Sequence, residues 1–189
     1  MAEKIPPANP SPWIVRFAPL IPADGEVLDL ACGYGRHARY LAQLGYRVEA
    51  VDRDAEALAT LVGVANVTTR CADLEGGPWP YYSRVFDGIV VSRYLWRPLF
   101  PQIFNALAEG GVLIYETFME GQQLYGKPEN PAHLLRPGEL LELVGKRFTV
   151  IAFEQGEITA ADGGTQVIQR ICVRRGRPVR LPECVPPSV

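Results

Sequence analysis

Short apolar stretches rich in valine, isoleucine and leucine alternate along this chain with longer segments of helical pattern. The short stretches have the length and composition of buried strands, which parallel sheets use. The predicted strands are residues 26–31, 47–52, 66–71, 86–92 and 112–118. The predicted helices are residues 36–44, 54–62, 98–108 and 137–146. This alternation predicts parallel strands with helices on both faces of one sheet.

The last two predicted strands, residues 148–153 and 165–174, follow a different rule. A turn around Asp162-Gly163-Gly164 joins them, with no helix between. A connection this short cannot make a parallel crossover, so the two strands should pair antiparallel. The predicted fold class is therefore α/β, with a doubly wound, mostly parallel sheet that ends in an antiparallel pair.

The ends of the chain differ in composition from its middle. Prolines are concentrated before residue 23 and after residue 177, and proline removes a backbone donor and fixes φ. We therefore expect irregular tails at residues 1–22 and 177–189 around a single domain at residues 23–176. Apolar residues at 13–20 allow a short helix in the first tail. Its opening has no apolar run, which argues against a signal peptide or a membrane anchor.

The composition is that of an ordinary globular domain. Apolar residues make up 48% of the 189 residues and charged residues 21%, and the formal net charge is −2. This charge gives no electrostatic reason to expect a nucleic-acid partner. The four cysteines lie far apart without C-x-x-C spacing and only two histidines are present, so neither a zinc site nor a disulfide framework is indicated. We expect reduced thiols, a cytoplasmic protein and no metal site.

The segment after the first predicted strand has the pattern of a nucleotide-binding turn. The strand ends at Ala31, glycines follow at Gly33 and Gly35, and a helix begins at once. Such a turn brings backbone N–H groups and a helix N-terminus close to a ligand. Asp52 closes the second strand, where a carboxylate can accept hydrogen bonds from two ribose hydroxyls. These features indicate a nucleoside-bearing cofactor.

Two cofactors fit this turn. Gly33-x-Gly35-x-x-Ala38 satisfies a dinucleotide fingerprint, so a nicotinamide cofactor stays open. Three observations favour S-adenosylmethionine. Asp29 lies inside the first strand, where a carboxylate suits a cationic amino-acid ligand and would repel a pyrophosphate. Asp73 follows the third strand, where an acid could meet an adenine amino group, and a helix-free pair of final strands is unusual for a nicotinamide domain.

The same residues carry a resemblance to a known family. The run VLDLACGYGRHARYLAQLGYRVEAVDRD resembles the opening motifs of class I S-adenosylmethionine-dependent methyltransferases. The runs CADLE, FDGIVVSRYLW and ALAEGGVLIYETF resemble their later motifs, in the same order and spacing. The resemblance spans residues 27–174. The chain resembles in particular the small bacterial methyltransferase-domain proteins, including those of the tellurite-resistance type.

This resemblance implies a seven-stranded, Rossmann-like sheet with an antiparallel last strand. It implies S-adenosylmethionine as the cofactor and S-adenosylhomocysteine as the product. By motif, Asp29, Gly33 and Gly35 would line the methionine end of the cofactor. Asp52 would bind the ribose, and Asp73 would bind the adenine.

Four further residues complete the predicted cofactor site: Ala31, Arg53, Leu74 and Ser92. Family members often carry glycine where this chain has Ala31, and alanine cannot adopt positive φ cheaply. Positive φ in this turn would therefore be costly at Ala31. Arg36 and His37, in the first turn of the following helix, either reach the ligand carboxylate or are solvated.

Residues after the fourth and fifth strands should border the methyl acceptor, because ligands bind at the carboxyl ends of parallel strands. The predicted acceptor pocket consists of Tyr94, Trp96, Phe118 and Tyr125. Glu116 and His133 are the predicted catalytic residues, needed as a base only if the acceptor must lose a proton. The loop at residues 120–135 is either a lid over the substrate or a long surface connection.

The predicted function is in-line transfer of a methyl group from S-adenosylmethionine to a small molecule, by a monomer or homodimer with no membrane partner. The chain lacks the Asn-Pro-Pro-aromatic motif that many enzymes methylating base amino groups use. Three alternatives stay open: an RNA methyltransferase, a cofactor-binding module without turnover, and a nicotinamide-dependent oxidoreductase. RNA contact would involve the arginines near the end of the chain, Arg174, Arg175, Arg177 and Arg180.

Overall fold

A computed structural model describes residues 9–160 and 163–176 and shows one seven-stranded sheet. The strands are β1 (Glu26–Leu30), β2 (Arg47–Asp52), β3 (Val67–Cys71), β4 (Phe86–Ser92), β5 (Leu107–Phe118), β6 (Phe148–Thr159) and β7 (Thr165–Arg175). The α-helices are α1 (Pro12–Phe17), α2 (Arg36–Gln43), α3 (Ala55–Ala59), α4 (Phe100–Asn105) and α5 (Glu139–Val144). Short 3-10 turns lie at Ala18–Leu20, Arg97–Leu99, Gln122–Leu124, Pro131–His133 and Gly145–Arg147.

The strand order across the sheet is β3-β2-β1-β4-β5-β7-β6. β1 pairs in parallel with β2 and β4, and parallel pairing continues outward to β3 and β5. β7 runs antiparallel to both of its neighbours, β5 and β6. The predicted fold class is confirmed, including the antiparallel last strand. The carboxyl ends of β1 to β5 therefore share one edge of the sheet, and the order reverses between β1 and β4, which is where such folds bind ligands.

Helices cover both faces of the sheet, as predicted. Side chains alternate along each strand, so that Val27 and Val90 face α1, α2 and α3 while Leu28 and Val91 face α4 and α5. Each face forms its own cluster of fully buried apolar side chains. The central strands are buried on both sides, which explains their nearly continuous apolar sequence.

Several predicted boundaries are wrong. The helix predicted at 54–62 is observed at Ala55–Ala59, capped by the Asp54 carboxylate, and gives way to turns before Gly63. The helix predicted at 98–108 ends at Asn105, and the helix predicted at 137–146 is observed at Glu139–Val144. β5 begins at Leu107 rather than at residue 112, because Leu107 pairs with Phe86 at the amino end of β4.

β6 is twice as long as the pattern predicts. The predicted strand stops at Phe153, but pairing with β7 continues as far as Thr159 opposite Thr165. Glu154, Gly156 and Glu157 interrupt the apolar run in this half. Strand pairing here depends on backbone hydrogen bonds along a sheet edge rather than on burial, so hydrophobic pattern carries little of the signal.

The segment between β3 and β4 has no helix, as the glycines, prolines and aromatics of residues 75–84 predict. The carboxylate of Glu49 in β2 holds this segment against the sheet. Glu49 is 5% exposed and accepts hydrogen bonds from Arg70 Nε (3.1 Å), Tyr81 Oη (3.0 Å) and Arg84 Nη1 (2.9 Å). A buried carboxylate is tolerated when it is paired in this way. The ion-pair cluster thus fastens the segment to β2, while Trp79 and Tyr81 pack into the apolar core.

α1 lies within the segment predicted as an irregular first tail with room for a short helix. Ser11 caps α1, and Trp13, Ile14 and Phe17 are fully buried against the sheet. The indole N–H of Trp13 donates to the backbone carbonyl of Ile171 in β7 at 3.4 Å. This part of the segment therefore contributes to the core of the domain.

The structure tests only part of the predictions about the second tail, membrane helices and metal ligands. The second tail, with Arg177 and Arg180, lies outside the described residues. Within residues 9–160 and 163–176, no helix is long and apolar enough to cross a membrane. The same part of the chain contains no group of three His, Cys, Asp or Glu side chains arranged to hold a metal ion.

We predict that Trp13→Ala lowers the free energy of unfolding by about 3–5 kcal/mol, because it removes a buried aromatic side chain and leaves a cavity. Chemical denaturation followed by circular dichroism measures this change. Val15→Ala, at a 38% exposed position of the same helix, is the control and should change stability by no more than about 0.5 kcal/mol. Equal effects of the two substitutions would contradict the docking of α1.

Candidate active site

The turn between β1 and α2 is built from backbone in the left-handed region. Ala31, Gly33 and Gly35 have φ of +54°, +54° and +73°. Ala31 thus adopts the positive φ that is costly for alanine. The left-handed conformation of alanine costs about 1–2 kcal/mol, so the surrounding structure must impose it. The N–H of Cys32 donates to the carbonyl of Val51 in β2 at 3.0 Å, which holds the turn against the neighbouring strand.

The two glycines of this turn have different surroundings. A Cβ at Gly35 would collide with the side chain of Leu61, so glycine is required there for packing. A Cβ at Gly33 would meet no heavy atom within 4 Å, so that position faces open space. The turn is therefore closely packed on the helix side and open on the other side.

Asp52, the last residue of β2, connects this turn to the start of α3. One carboxylate oxygen accepts the N–H of Gly33 at 2.7 Å, and the other accepts the N–H of Asp54 at 2.9 Å. A carboxylate has about four acceptor positions, so each oxygen can still accept a hydrogen bond from a ligand. This arrangement positions Asp52 where the sequence predicted a ribose-binding acid.

Asp29 is buried beneath the turn at 1% exposure. Burial raises the pKa of its carboxyl to about 7, although the N–H of Ala38 in α2 and the charge of Arg36 act in the opposite direction. Its Oδ2 atom has no hydrogen-bond partner within the described part of the chain. Buried acceptors without partners are rare in proteins, so this oxygen is available to a donor that reaches it from the turn.

A first cleft of about 410 Å³ opens at the carboxyl ends of β1, β2, β3 and β4. Its lining residues are Ala31, Asp52, Arg53, Ala72, Asp73, Leu74, Glu75, Arg93 and Tyr94. Asp73 is exposed there, and hydrogen bonds from the N–H groups of Glu75 and Gly76 hold its pKa below the usual range. Two acids, from the ends of β2 and β3, thus face one cleft.

Five of the nine residues predicted for the cofactor line this cleft: Ala31, Asp52, Arg53, Asp73 and Leu74. Asp29, Gly33 and Gly35 form the turn beside the cleft and are not among its lining residues. Ser92 is also absent from the lining, because its hydroxyl donates to Glu116 Oε1 at 3.1 Å and accepts from Arg36 Nη2 at 3.2 Å.

A second cleft, of about 530 Å³, adjoins the first. It is lined by Glu75, Arg93, Tyr94, Leu95, Thr117, Phe118, Lys127, Pro128, Glu129, Asn130 and His133. Glu75, Arg93 and Tyr94 line both clefts and form the wall between them. The hydroxyl of Tyr94 is buried in this wall without a partner among the described residues, and its burial raises the tyrosine pKa.

Only some of the residues predicted for the acceptor side line the second cleft. Tyr94, Phe118 and the exposed His133 line the second cleft. Three others line neither cleft, and the first of them, Trp96, packs against the apolar core. Tyr125 donates a hydrogen bond to Glu157 at 2.8 Å, and Glu116 is bound to Ser92.

The loop at residues 120–135 forms the outer wall of the second cleft and is fixed at several points. Arg97 donates two hydrogen bonds to the Glu139 carboxylate, at 2.6 and 2.9 Å. The same guanidinium donates to the carbonyls of Ala132 and Leu134 at 2.8 Å. Burial of Glu139 opposes ionisation, but the hydrogen bonds and charge of Arg97 keep its pKa below the usual value. These bonds describe a fixed wall, which favours the surface connection over the lid.

Sequence reasoning missed several of these residues. Ala72, Glu75 and Arg93 line the first cleft but stand beside more conspicuous motif residues. Ala72 and Arg93 come directly after β3 and β4, and this position is the signal that could have identified them. Arg93 has a φ of +56°, and its N–H donates to the carbonyl of Glu116 at 3.0 Å. Backbone strain of this kind is concentrated at functional sites.

Comparison with known proteins agrees with this geometry. Residues 27–111 match a protein family described as a methyltransferase domain. This stretch, which is less than half of the chain, is similar to class I S-adenosylmethionine-dependent methyltransferases. Proteins of this class use S-adenosylmethionine as methyl donor, so the predicted recognition and cofactor are confirmed at the level of the family.

Relatives of the methyltransferase domain differ in length and named activity. The protein-L-isoaspartate O-methyltransferase of Chlorobaculum tepidum is 38% identical over 96 residues, which cover 48% of this chain and 43% of the relative. The match thus spans less than half of that curated relative.

Two solved structures share the fold. TehB from Haemophilus influenzae superimposes with a TM-score of 0.71 at 23% identity, covering 86% of this chain and 61% of TehB. The N-methyltransferase NodS from Bradyrhizobium japonicum WM9, in complex with S-adenosylhomocysteine, gives a TM-score of 0.70 at 16% identity, covering 93% of this chain and 94% of NodS.

The side chains that line the first cleft fit S-adenosylmethionine, the donor of class I methyltransferases. Asp52 and Asp73 supply carboxylate acceptors at one end, where hydroxyls and an amino group of an adenosine can donate. The unpartnered Oδ2 of Asp29 and the open space beside Gly33 lie at the turn. An ammonium group near Asp29 would supply the missing donor and favour the charged carboxylate.

We predict that Ala31→Gly raises the free energy of unfolding, because glycine relieves about 1–2 kcal/mol of left-handed strain and loses only about 0.4–1 kcal/mol through the unfolded chain. Thermal or chemical unfolding measures the change. Ala38→Gly, inside α2, is the control and should destabilise by about 1 kcal/mol or more. A similar loss for both variants would show that Ala31 is not held in the left-handed region.

Proposed function

We propose that this protein transfers a methyl group from S-adenosylmethionine to a small-molecule acceptor. The observation that carries the proposal is the shared wall of the two clefts. Glu75, Arg93 and Tyr94 line both a cleft that contains Asp52 and Asp73 and a second cleft of similar size, so the two clefts meet at these residues. Methyl transfer requires a donor site and an acceptor site that meet at one point, and this wall is such a point.

In this proposal the cofactor end of the site is the first cleft. Asp52 accepts hydrogen bonds from the ribose hydroxyls, Asp73 faces the adenine, and Arg53 and Leu74 flank them. The turn from Ala31 to Gly35 holds the amino-acid end. S-adenosylmethionine, when bound there, supplies a methyl group on a sulfonium that needs no further activation by the protein.

The second cleft receives the acceptor. Its volume of about 530 Å³ lies within the range of about 300–1,000 Å³ that small-molecule sites occupy. The fixed loop at residues 120–135 limits its outer side, which supports a small acceptor over a polymer. The net charge of −2 gives no general attraction for nucleic acid.

The protein's contribution to the reaction is then mainly orientation and exclusion of water. Holding two reactants in line can supply on the order of 7–11 kcal/mol of barrier reduction. Tyr94 and Phe118 shape the acceptor pocket, and their ring faces can stabilise a nearby cation. His133, on the rim of the same cleft, is the proposed base for an acceptor that must lose a proton. Glu116 acts behind the site, through its hydrogen bond with Ser92.

The cellular compartment and the oligomeric state belong to the same proposal. Cys32, Cys71 and Cys172 are free thiols, which supports a reducing compartment such as the cytoplasm. We infer that residues 23–176 form the catalytic domain and that it acts as a monomer or a homodimer.

We predict that a saturating concentration of S-adenosylhomocysteine, about 100 times its Kd, raises the melting temperature by roughly 5–10 °C. NAD at the same concentration should leave the melting temperature unchanged. Asp52→Asn should reduce the shift, because one ribose acceptor is lost. Asp54→Asn is the matched control, since asparagine is an equally good helix N-cap. A shift with NAD alone would favour the nicotinamide-dependent oxidoreductase.

The acceptor class is tested with S-adenosylmethionine that carries a labelled methyl group, incubated with the protein and either a bacterial small-molecule extract or total RNA. We expect label in the small-molecule fraction only. Phe118→Ala, which alters the second cleft alone, should lower this labelling severalfold while leaving affinity for S-adenosylhomocysteine unchanged. Label in RNA would establish the RNA methyltransferase instead, and no label with intact cofactor binding would indicate a binding module.

A further inference from the structure

Two side-chain hydroxyls that border the second cleft have no hydrogen-bond partner among the residues that the structure describes. Thr117, near the end of β5, is only 3% exposed and lines this cleft, yet its hydroxyl bonds no other described residue. The hydroxyl of Tyr94 is buried in the wall between the two clefts and is likewise unpartnered within the described ranges. An unpaired buried hydroxyl costs free energy, so each of these two groups needs an explanation.

The ends of β4 and β5 bring these two residues to the same part of the wall. The strands are parallel neighbours with Ser92 opposite Glu116, so the residues that follow in each chain segment leave the sheet side by side. The N–H of Arg93 donates to the carbonyl of Glu116 at 3.0 Å, which keeps the two segments together. Thr117 therefore lies beside the short step of chain from Arg93 to Tyr94.

A buried tyrosine fixes Tyr94 to β5. The hydroxyl of Tyr115, two residues before Thr117, donates to the backbone carbonyl of Tyr94 at 2.7 Å. The ring of Tyr115 is itself buried and stacks on Phe100 of α4, with ring centres 5.4 Å apart. Tyr94 and Thr117 are thus both attached to the same rigid strand, which is what precise placement of a reactant requires.

The chemistry of the two hydroxyls limits what they can do. A hydroxyl both donates and accepts, so it can bond an oxygen or nitrogen atom whether or not that atom carries hydrogen. Burial raises the pKa of the Tyr94 hydroxyl, which therefore stays protonated and neutral. Two neutral hydroxyls are poor bases, but they can orient a nucleophile so that its free lone pair points toward the methyl group.

We propose that Thr117 Oγ1 and Tyr94 Oη hydrogen-bond the acceptor atom that receives the methyl group, an inference that rests on the proposed function. The acceptor then belongs to the oxygen and nitrogen nucleophiles, because carbon and sulfur atoms form hydrogen bonds poorly. Its lone pair forms the bond to the methyl carbon, while the bond from this carbon to sulfur breaks and leaves its electron pair on sulfur. A proton carried by the methylated atom passes to His133 or to water. The two hydroxyls lack partners within the chain because their partner is the acceptor.

The test removes each hydroxyl while it keeps the shape of the side chain, with Thr117→Val and Tyr94→Phe. The matched controls are Thr68→Val, at an exposed position of β3, and Tyr82→Phe, at 81% exposure. Three quantities are measured for each protein: the melting temperature, the affinity for S-adenosylhomocysteine by isothermal titration calorimetry, and the transfer of a labelled methyl group from S-adenosylmethionine to a bacterial small-molecule extract.

We expect methyl transfer to fall on the order of tenfold in Thr117→Val and in Tyr94→Phe, the effect of one lost hydrogen bond. Affinity for S-adenosylhomocysteine should stay unchanged, because the pair contacts the acceptor. The melting temperature should hold or rise by roughly 2–5 °C, since an unpaired buried hydroxyl is removed. A hydroxyl with a structural role would instead lose stability and activity together. The two controls should change none of the three quantities.

The outcomes separate this inference from the proposed function. A lower melting temperature that accompanies the lost activity, or full activity in both variants, would overturn the role of the hydroxyls and leave methyl transfer intact. An equal loss of affinity for S-adenosylhomocysteine would assign the pair to the donor and overturn it as well. Nuclear magnetic resonance of the product identifies the atom that carries the labelled methyl group, and label on carbon or sulfur would overturn the acceptor class. If the unaltered protein binds S-adenosylhomocysteine but labels nothing, the proposed function fails, and this inference fails with it.

Discussion

The hydrogen bond from the N–H of Gly33 to the Asp52 carboxylate is the contact on which the geometry of the site depends. It joins the turn after β1 to the end of β2, and the second oxygen of Asp52 holds the start of α3. The contact is possible because β1 and β2 are parallel neighbours in register, with Leu30 opposite Val51. Without it, the left-handed residues of the turn would have less to hold them, and the wall of the first cleft would lose its shape.

The fold could be predicted largely from the sequence, because burial on both faces of the central strands leaves a clear apolar pattern. Prediction from the sequence fails where burial does not decide the structure. The second half of β6, after Phe153, is polar and was missed, since edge pairing leaves little trace in composition. Leu107 was assigned to a helix although it belongs to β5. Apolar residues next to a boundary satisfy either element, and only its pairing with Phe86 decides.

The candidate site was predictable on the donor side, where side chains follow the ends of consecutive strands. Asp52 and Asp73 face one cleft for that reason. The acceptor side depends on contacts between distant segments. Arg97 and Glu139 lie 42 positions apart, and nothing near either residue indicates the other. Tyr125 and Trp96 have suitable chemistry for an acceptor pocket, but Tyr125 bonds Glu157 and Trp96 packs against the core instead.

The position of β7 has a consequence for how the chain reaches its native state. Residues 165–175 come last among the strands, yet they lie between β5 and β6. During translation, β5 must therefore wait with one edge unpaired until this segment leaves the ribosome. α1 must wait as well, because Trp13 packs beside Ile171. An unpaired strand edge invites association with other chains, so the nascent protein is exposed to aggregation until synthesis of the sheet is complete.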